Sequence, residues 1–502
     1  MNDTVIIAGA STTGLMLACE LGLRGVRAIV LEAAAGPRRD TPAAAINTTS
    51  VELLEQRGLM EGMYEDSLPI GVAHYALLWL DASVMNGRNN VLLNQARLNR
   101  ELLERAGELG VDVRFGHRVT ALRQSEDEVT VTVTVEADGT PVEVAGGYLV
   151  GCDGADSAVR SLAGIDFPGE DSPFYGIYGD LTVSIGELEP GLLGAFHYPD
   201  GGVFMGAPLG PDTLRVVTAE WAATPPAGEV TAQEAFDHIK RLTGFELTGA
   251  QADWLARYPD TVRNAAQYRD GRVFLAGDAA HMFFPLGGQR MNTCMQDAVN
   301  LGWKLAAAIE GWAPAGLLDT YHGERHPVGA RACRNLAAQT ALMPMTGGIG
   351  ELREMLTELI TKDQVNRYLL DFVTGLDVRY PMPARETGQE ADAPPHGEPH
   401  ALLGARLGPL AIKTDEGESN ALIPLRGGHG VLFDFSGATQ RLPDVSGWSD
   451  RVDVVAAQPL EPIDAAAVLV RPDGHAAWVD ATGGDAAGLL AALRAWFGAS
   501  TA

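Results

Sequence analysis

The residues best suited to hold a phosphate lie at the start of the chain. Gly9 and Gly14 enclose a turn between a short apolar strand, 4–8, and the helix that follows it. Glycines at this spacing let backbone N–H groups approach a pyrophosphate at a helix N-terminus. Glu32 ends the next predicted strand, where a carboxylate accepts hydrogen bonds from ribose hydroxyls. Ser11 stands where a middle glycine is usual, so two interpretations remain: a dinucleotide site, which we favour, or an ordinary strand-to-helix turn.

Two later turns place an acidic residue beside a glycine. Asp153-Gly154 follows the apolar run 148–151, and Gly277-Asp278 follows the apolar run 272–276. A further glycine pair, Gly287-Gly288, precedes a helix that we predict over 292–312. Each pattern predicts a strand, a turn and a helix, and such units build parallel sheets.

These three turns, in this order, resemble the signatures of the class A flavoprotein aromatic hydroxylases. The closest resemblance is to members that oxidise polycyclic aromatic polyketides in actinobacterial biosynthesis. The segments 318–321 (Leu-Asp-Thr-Tyr) and 324–327 (Glu-Arg-His-Pro) are also similar to that family. The resemblance covers essentially the whole chain. It implies an α/β fold: a doubly wound FAD-binding domain, an antiparallel β substrate domain, a helical segment and a C-terminal domain similar to thioredoxin without its redox cysteines.

The resemblance also implies an activity. In that family NADPH or NADH transiently reduces FAD, and the reduced flavin activates dioxygen for attack on an activated ring. The substrate implied is a phenolic or quinonoid polyketide, which makes the protein a tailoring monooxygenase of antibiotic biosynthesis. The positions implied to bind the cofactor are Gly9, Ser11, Gly14, Glu32, Arg39, Arg97, Asp153, Gly277, Asp278, Pro285, Gly287, Gly288, Met291 and Asn292.

Aromatic side chains are candidates for the wall of a flat substrate pocket. Phe283 and Phe284 precede the glycine pair, and they form either this wall or ordinary core packing. Phe204 and Trp221 lie on a predicted second sheet, where they would line the same cavity. The positions that we assign to the substrate are Asn47, Thr49, Phe204, Trp221, Phe283 and Phe284.

Several positions depart from the family pattern on the cofactor side. Arg290 replaces the third glycine of a turn whose backbone lies against the flavin in the family, and its long side chain crowds that approach. Relatives carry an arginine near position 42; the segment 41–45 has none, and Arg38 or Arg39 would substitute by a shift in register. Asn47 and Thr49 stand where a histidine and an arginine are frequent.

These departures leave three explanations. FAD still binds, with Arg290 turned away or serving as a cation for the reduced ring; FAD binds weakly; or flavin no longer binds. In the last case a redox-neutral dehydratase, cyclase, hydrolase or isomerase would use Arg290, since a guanidinium anchors enolates and phenolates. The candidate catalytic residues are Arg290, Asn292 and His281, although His281 also suits a structural role. A lesser alternative is a non-catalytic binding partner.

Composition narrows the classes of partner. The 502 residues hold 37 Lys and Arg against 65 Asp and Glu, a net charge of −28, which disfavours nucleic acid and anionic membranes. Four cysteines stand far apart and the N-terminus has no signal-peptide pattern, so we expect a cytoplasmic protein without disulfides. A homodimer is a further expectation. His322 and His326 share a helix face without a third ligand, so we predict no metal.

The elements that position these residues fall into five predicted segments. They are an FAD-type α/β domain, first part, 1–172; an antiparallel substrate domain, 173–270; the FAD-domain return with long helices, 271–385; a linker, 386–400; and the thioredoxin-like domain, 401–502. The linker is polar, rich in proline and without periodicity. In the last segment we predict strands over 430–435, 452–456 and 467–470 and a closing helix over 489–497.

Overall fold

The computed structural model describes residues 3–501 apart from 39–40, 42, 86–87, 199–201, 222–225, 227, 285, 345–346, 383–399 and 438–441. The strands up to residue 151 are β1 (Thr4–Ala8), β2 (Arg27–Glu32), β3 (Ala45–Ile46), β4 (Leu68–Ile70), β5 (Val72–Tyr75), β6 (Leu78–Asp81), β7 (Asn90–Leu92), β8 (Asp112–Phe115), β9 (His117–Gln124), β10 (Val129–Val135), β11 (Pro141–Gly146) and β12 (Tyr148–Gly151).

The later strands are β13 (Gly169–Thr182), β14 (Gly194–Tyr198), β15 (Gly202–Pro208), β16 (Thr213–Trp221), β17 (Gln251–Asn264), β18 (Arg269–Asp270), β19 (Val273–Leu275), β20 (His281–Met282), β21 (Ala411–Thr414), β22 (Gly417–Asn420), β23 (Gly430–Asp434), β24 (Val452–Ala456), β25 (Gln458–Pro459), β26 (Ala467–Val470) and β27 (Ala476–Asp480). The helices are α1 (Thr12–Leu23), α2 (Thr48–Gln56), α3 (Gln95–Glu108), α4 (Ala158–Leu162), α5 (Ala232–Thr243), α6 (Gln289–Glu310), α7 (Asp319–Ala341), α8 (Ile349–Ile360), α9 (Asp363–Thr374) and α10 (Ala486–Phe497).

A parallel sheet positions the three signature turns. Its order is β18-β19-β12-β1-β2-β8, and only β18 runs antiparallel to its neighbour. The central strand β1 is apolar and buried throughout, as a parallel strand covered on both faces must be. Helices α1 and α6 pack against each other on this sheet. The doubly wound α/β class is confirmed.

A second, antiparallel sheet faces the first. Its order is β14-β15-β16-β13-β17-β20, so the predicted antiparallel layer is present. The two sheets are joined through β20, which follows the turn after β19. Because side chains alternate along a strand, one face of this sheet packs on α5 and the other faces α7 and the cleft described below.

The C-terminal segment forms its own mixed sheet. Its order is β24-β23-β26-β27, with β23 and β24 parallel and the other pairs antiparallel, and α10 packs on it. The predicted strands 452–456 and 467–470 coincide with β24 and β26, and the predicted helix 489–497 begins three residues late. The predicted linker, 386–400, lies outside the described residues except for His400.

Two junctions between elements matter for the site. The chain leaves the antiparallel pair β10–β11 at Gly147, and β12 then joins β1 in the parallel sheet. The helix expected from residue 292 begins at Gln289, because Gly287 and Gly288 both adopt φ of +67° and close the preceding turn early. None of the described helices is long and apolar enough to cross a membrane.

Candidate functional site

The signature turns meet at one edge of the parallel sheet. Strands β1, β2, β12 and β19 run in the same direction, so the residues after their carboxyl ends share an edge, the usual place of a ligand in such sheets. A cleft of about 910 Å³ runs along this edge to the second sheet. Among the residues that line it are Gly9, Ser11, Glu32, Gln95, Asn99, Asp153, Arg160, Tyr178, Tyr258, Asp278, Arg290, Met291 and Cys294.

The first turn is a backbone cradle that tolerates no side chain at its glycines. Gly9 has φ of +103°, and a Cβ there would lie 2.3 Å from the carbonyl oxygen of Cys152. A Cβ on Gly14 would lie 1.9 Å from the carbonyl oxygen of Gly9. The turn therefore brings backbone N–H groups at the start of α1 to the cleft, where they suit an anion.

Ser11 fits this cradle. It is the N-cap of α1, makes no side-chain capping bond among the described residues, and lines the cleft. Its backbone is extended, so the missing glycine imposes no strain on the turn.

Glu32 is held at the edge of the cleft by two backbone donors. Ala10 N donates to its Oε2 and Ala34 N to its Oε1, both at 2.8 Å. A carboxylate has about four acceptor positions, so the group can still accept hydrogen bonds from a diol in the cleft.

A polar relay that sequence reasoning missed forms the wall opposite Glu32. Gln95 Nε2 donates to Thr12 Oγ1 at 3.0 Å, and Thr12 Oγ1 donates to Asn99 Oδ1 at 2.6 Å. Gln95 Oε1 also accepts from Ala43 N at 3.1 Å. The helix α3, capped by Asn94, carries both Gln95 and Asn99. The only sequence signal was the cap; no local pattern pairs α3 with α1.

Arg97 is not among the residues that line the cleft, so its cofactor contact stays a prediction. Its guanidinium donates to Asp66 at 2.6 Å, to Glu101 at 2.9 Å and to the carbonyl of Gly62 at 2.6 Å. Gln95, two residues earlier, takes the position at the cleft. Arg39 and Pro285 lie outside the described residues, whereas Arg38 lines the cleft.

Asp153 caps the short helix after β12. Its carboxylate accepts from Ser157 Oγ at 2.5 Å and from Val159 N at 3.0 Å. Burial raises the pKa of Asp153 above its ordinary value, and these two bonds offset part of that rise. Arg160 on the same helix packs its guanidinium 3.8 Å over the ring of Phe167 and donates to Ala279 O at 3.0 Å.

Arg290 and Asp278 form an ion pair on the floor of the cleft. Arg290 Nε donates to Asp278 Oδ1 at 2.7 Å and Nη2 to Oδ2 at 2.5 Å. Burial would raise the pKa of Asp278, but the facing guanidinium outweighs it and holds the pKa below its ordinary value. Cys294 Sγ lies 3.6 Å from Asp278 Oδ1, and burial raises the pKa of this thiol, so it stays a thiol.

The helical position of Arg290 removes the crowding that its side chain was expected to cause at the flavin loop. Arg290 is the second residue of α6, and its backbone is helical, so a Cβ there costs nothing. Gly287 and Gly288 make the turn before it and do not line the cleft, whereas Met291 does.

Asn292 braces the start of α6 and does not reach the cleft. Its Nδ2 donates to Gly288 O at 2.5 Å and to Ala45 O at 3.2 Å, and its Oδ1 accepts from Asn47 N at 3.1 Å. Asn47 Nδ2 and Thr49 Oγ1 both donate to Thr374 O, at 3.0 Å and 2.8 Å. The structure therefore gives Asn292, Asn47 and Thr49 structural contacts away from the cleft, and the roles of Asn47 and Thr49 at the substrate stay predictions.

His281 is a buried structural histidine. Its side chain is fully buried, and its Nε2 lies 2.7 Å from Asp297 Oδ2. The same carboxylate oxygen accepts from Gly277 N at 3.0 Å. His281 does not line the cleft, and its contacts suit the structural role that the sequence also allowed. Gly277 is likewise buried, directly before Asp278.

The second sheet supplies an aromatic wall. Tyr178 and Tyr258 line the cleft with ring centroids 5.4 Å apart. Phe284 packs behind Tyr258 at 5.2 Å, and Phe283 stacks on the ring of His281 at 5.7 Å. Phe283 and Phe284 therefore belong to the core that supports the wall, which is the packing role that the sequence left open, and their substrate contact stays a prediction.

The remaining predicted aromatic residues also lie off the cleft. Phe204 is fully buried on the opposite face of its sheet, with Leu181, Leu214 and Ile239, so its substrate contact stays a prediction. Trp221 packs at the edge of the core cluster of Phe284 and does not line the cleft. Among the described residues no group of three or more His, Cys, Asp or Glu side chains could hold a metal ion.

Comparison with known proteins matches the whole chain. A family model described as an FAD binding domain matches residues 2–336, and one described as the C-terminal region of aromatic-ring hydroxylases matches residues 400–500. The chain is 45% identical to the dialkyldecalin synthase of Streptomyces rugosporus over 99% of both proteins. It is 40% identical to a 12-dehydrotetracycline 5-monooxygenase/anhydrotetracycline 6-monooxygenase of Streptomyces rimosus subsp. rimosus, again over 99% of both.

A solved structure shares the fold over its full length. The anhydrotetracycline hydroxylase OxyS from Streptomyces rimosus superposes with a TM-score of 0.88 at 41% identity and covers 100% of both chains. The residues of the cleft fit an FAD at its nucleotide end, since the cradle of Gly9 and Gly14 has no room for a side chain and the Glu32 carboxylate is preset beside it.

Proposed function

Because the chain belongs to the family of FAD-binding aromatic-ring hydroxylases, we propose that it hydroxylates a polycyclic phenolic or quinonoid polyketide, using FAD and NADPH or NADH. The observation that carries this proposal is the single cleft of about 910 Å³, which is lined by the phosphate cradle at one end and by Tyr178 and Tyr258 at the other. A pocket with a nucleotide end and an apolar aromatic end suits a dinucleotide cofactor and a flat substrate together.

The chain's own residues would bind and orient the cofactor. The backbone of the Gly9–Gly14 turn would hold the pyrophosphate at the start of α1, Ser11 Oγ would add a donor there, and Glu32 would accept from the adenosine ribose. Asp278 and Met291 would contact the ribityl and ring portions. When bound, FAD supplies the redox chemistry with dioxygen.

The substrate end contributes shape, dryness and one cation. Tyr178 and Tyr258 offer ring faces for stacking, and the core behind them excludes water. Arg290 stays protonated beside the cleft, where it would stabilise negative charge on a phenolate substrate as the ring is attacked.

The test of this proposal uses the purified full-length protein. We expect equimolar FAD after reconstitution, substrate-dependent oxidation of NADPH or NADH, and one oxygen atom from ¹⁸O₂ in the product. A protein that never retains FAD, or a product without labelled oxygen, would exclude hydroxylation.

A second candidate function is a redox-neutral cyclisation in the same cleft. Two observations favour it: the Arg290–Asp278 pair on the cleft floor, and the 45% identity to a protein named dialkyldecalin synthase. A guanidinium that donates to a substrate carbonyl would lower the barrier to carbon–carbon bond formation without electron transfer. Conversion under argon without a nicotinamide nucleotide would establish this function.

The proposal extends to the location, the substrate partner and the oligomeric state of the protein. We place the protein in the cytoplasm, where reduced nicotinamide nucleotides are available. The partner is a small-molecule aromatic polyketide. A homodimer remains a prediction from the sequence, to be measured by light scattering.

A further inference from the structure

Two adjacent residues of α7, Glu324 and Arg325, belong to a sequence motif that the proposed function leaves unused. Their exposed fractions are 3% and 0%. A buried charge is costly unless it is paired and hydrogen-bonded, so the partners of these two residues show what α7 holds in place.

Arg325 reaches the turn beside the cleft. Its Nε donates to Asp297 Oδ1 at 2.6 Å, and its Nη2 donates to Thr293 O at 3.0 Å. The other oxygen of Asp297 accepts from Gly277 N, the residue before Asp278, at 3.0 Å. Arg325 therefore orients the carboxylate that fixes the Gly277-Asp278 turn.

Glu324 reaches in the other direction, to the C-terminal sheet. Its carboxylate accepts from Arg471 Nη1 at 2.6 Å and Nη2 at 2.9 Å, and from Lys304 Nζ at 2.7 Å. Arg471 directly follows β26 and is fully buried. One step along α7 thus separates a contact with the C-terminal sheet from a contact with the cleft turn.

Tyr380 joins the two sides directly. Its hydroxyl accepts from Arg325 Nη1 at 2.9 Å, and its ring stacks on His475 with centroids 4.1 Å apart. Its backbone N donates to Gly404 O at 2.9 Å, and Gly404 N donates to Ala476 O at 2.8 Å. Tyr380 is therefore anchored on the C-terminal sheet while its hydroxyl holds Arg325.

We propose that Tyr380 is a positioning residue, through which the C-terminal sheet holds the Gly277-Asp278 turn in the shape that the flavin half of the cofactor requires. The inference rests on the FAD of the proposed function. The order of contacts is His475, Tyr380, Arg325, Asp297 and Gly277. Loss of the hydroxyl leaves a buried guanidinium N–H without its partner, so the Arg325 side chain shifts and Asp297 follows.

The experiment compares Tyr380→Phe and His475→Leu with wild type in the full chain. In Tyr380→Phe we expect the Kd for FAD to rise about tenfold and the Kd for ADP, which lacks the flavin half, to stay within about twofold. In His475→Leu we expect the Kd for FAD to rise about threefold and the Kd for ADP again to stay within about twofold. In the FAD-free proteins, the peptide that contains Gly277 should exchange its amide hydrogens faster than in wild type.

Tyr268→Phe is the matched control. Tyr268 is fully buried, and its hydroxyl donates to Asn264 Oδ1 at 2.5 Å and not to a member of the series from His475 to Gly277. It should lose comparable thermal stability with FAD affinity and Gly277 exchange unchanged. Parallel weakening of FAD and ADP, or unchanged Gly277 exchange in Tyr380→Phe, would overturn the inference. A wild type that binds no FAD would overturn the proposed function instead, because the exchange measurement on FAD-free protein still tests the role of Tyr380.

Discussion

The two ends of the cleft are built by different physical means. At the first turn the backbone forms the site, because Gly9 and Gly14 leave no room for a Cβ and the N–H groups of α1 face the cleft. At the start of α6 side chains form the site, since Arg290 and Asp278 pair on the cleft floor. A backbone site is specified by a few glycines in one short segment, whereas a side-chain site depends on partners distant in sequence.

The largest losses of stability and nucleotide binding are expected at the backbone end of the cleft. Gly14→Ala places a methyl group 1.9 Å from a carbonyl oxygen in the original turn, so the turn must open. We expect the free energy of unfolding to fall by about 3 kcal/mol and ADP binding to be lost. Urea unfolding and calorimetry measure both. Gly107→Ala, where nothing lies within 4 Å of the added Cβ on α3, should leave stability equal or slightly higher. Equal losses in both variants would contradict the account of the cradle.

The side-chain end should respond to pH. Arg290→Gln leaves the half-buried Asp278 carboxylate without its cation, and we expect a loss of about 2 kcal/mol at pH 7. The pKa of Asp278 is depressed in the folded wild type, so this stabilisation is present above about pH 4 and is lost as pH falls through the folded pKa. The difference between variant and wild type should therefore persist down to about pH 4 and shrink as the pH falls below it.

The double variant Asp278→Asn with Arg290→Gln controls this measurement. It removes both charges, so it should recover part of the stability lost in Arg290→Gln and show no dependence on the Asp278 proton. A pH-independent gap between Arg290→Gln and wild type would show that the ion pair does not set the pKa of Asp278.

A substitution in the aromatic wall should change the KM for the substrate and leave the affinity for FAD unchanged. Tyr178→Ala removes one ring of the pair 5.4 Å from Tyr258, and we expect KM to rise about tenfold with FAD affinity unchanged. Steady-state kinetics and fluorescence titration separate the two. Phe204→Leu, on the opposite face of the sheet, should lower stability and leave KM unchanged. A rise in KM in Phe204→Leu would place that side chain back at the substrate.

The smallest effect is expected at Ser11. Ser11→Gly restores the usual middle glycine, and because the Ser11 backbone is already extended we expect the Kd for FAD to change less than about threefold. A tenfold or larger change in either direction would show that the serine hydroxyl or its Cβ controls the cradle.

Sequence reasoning predicted what short segments encode. The strand-turn-helix units, the glycine cradle, Glu32 and the strands of the C-terminal sheet follow from local patterns, because backbone conformation is set by neighbouring residues. The predicted start of α6 is three residues late, since the pattern does not show that the turn closes at the two glycines. Arg290 is therefore predicted in a loop, where its side chain would crowd the cofactor, although it is helical.

Contacts between distant segments could not be predicted in this way. Gln95 reaches Thr12 across 83 positions, and Phe204 faces away from the cleft because of the register of β15 against β16. The sequence left His281 open as a base or a structural histidine, and its pairing with Asp297 is a contact that a single sequence does not reveal. The identity of a residue therefore indicated which chemistry was available, and the pairing of elements decided which residues take part.

The turn after β19 lies unusually close to α1. A Cβ on Gly277 would fall 2.6 Å from the hydroxyl oxygen of Thr13. The first turn of α1 and the turn after β19 therefore limit each other's position, and the cleft cannot narrow between them. We expect any widening that admits a bulky polycycle to come from the wall that carries Tyr178 and Tyr258.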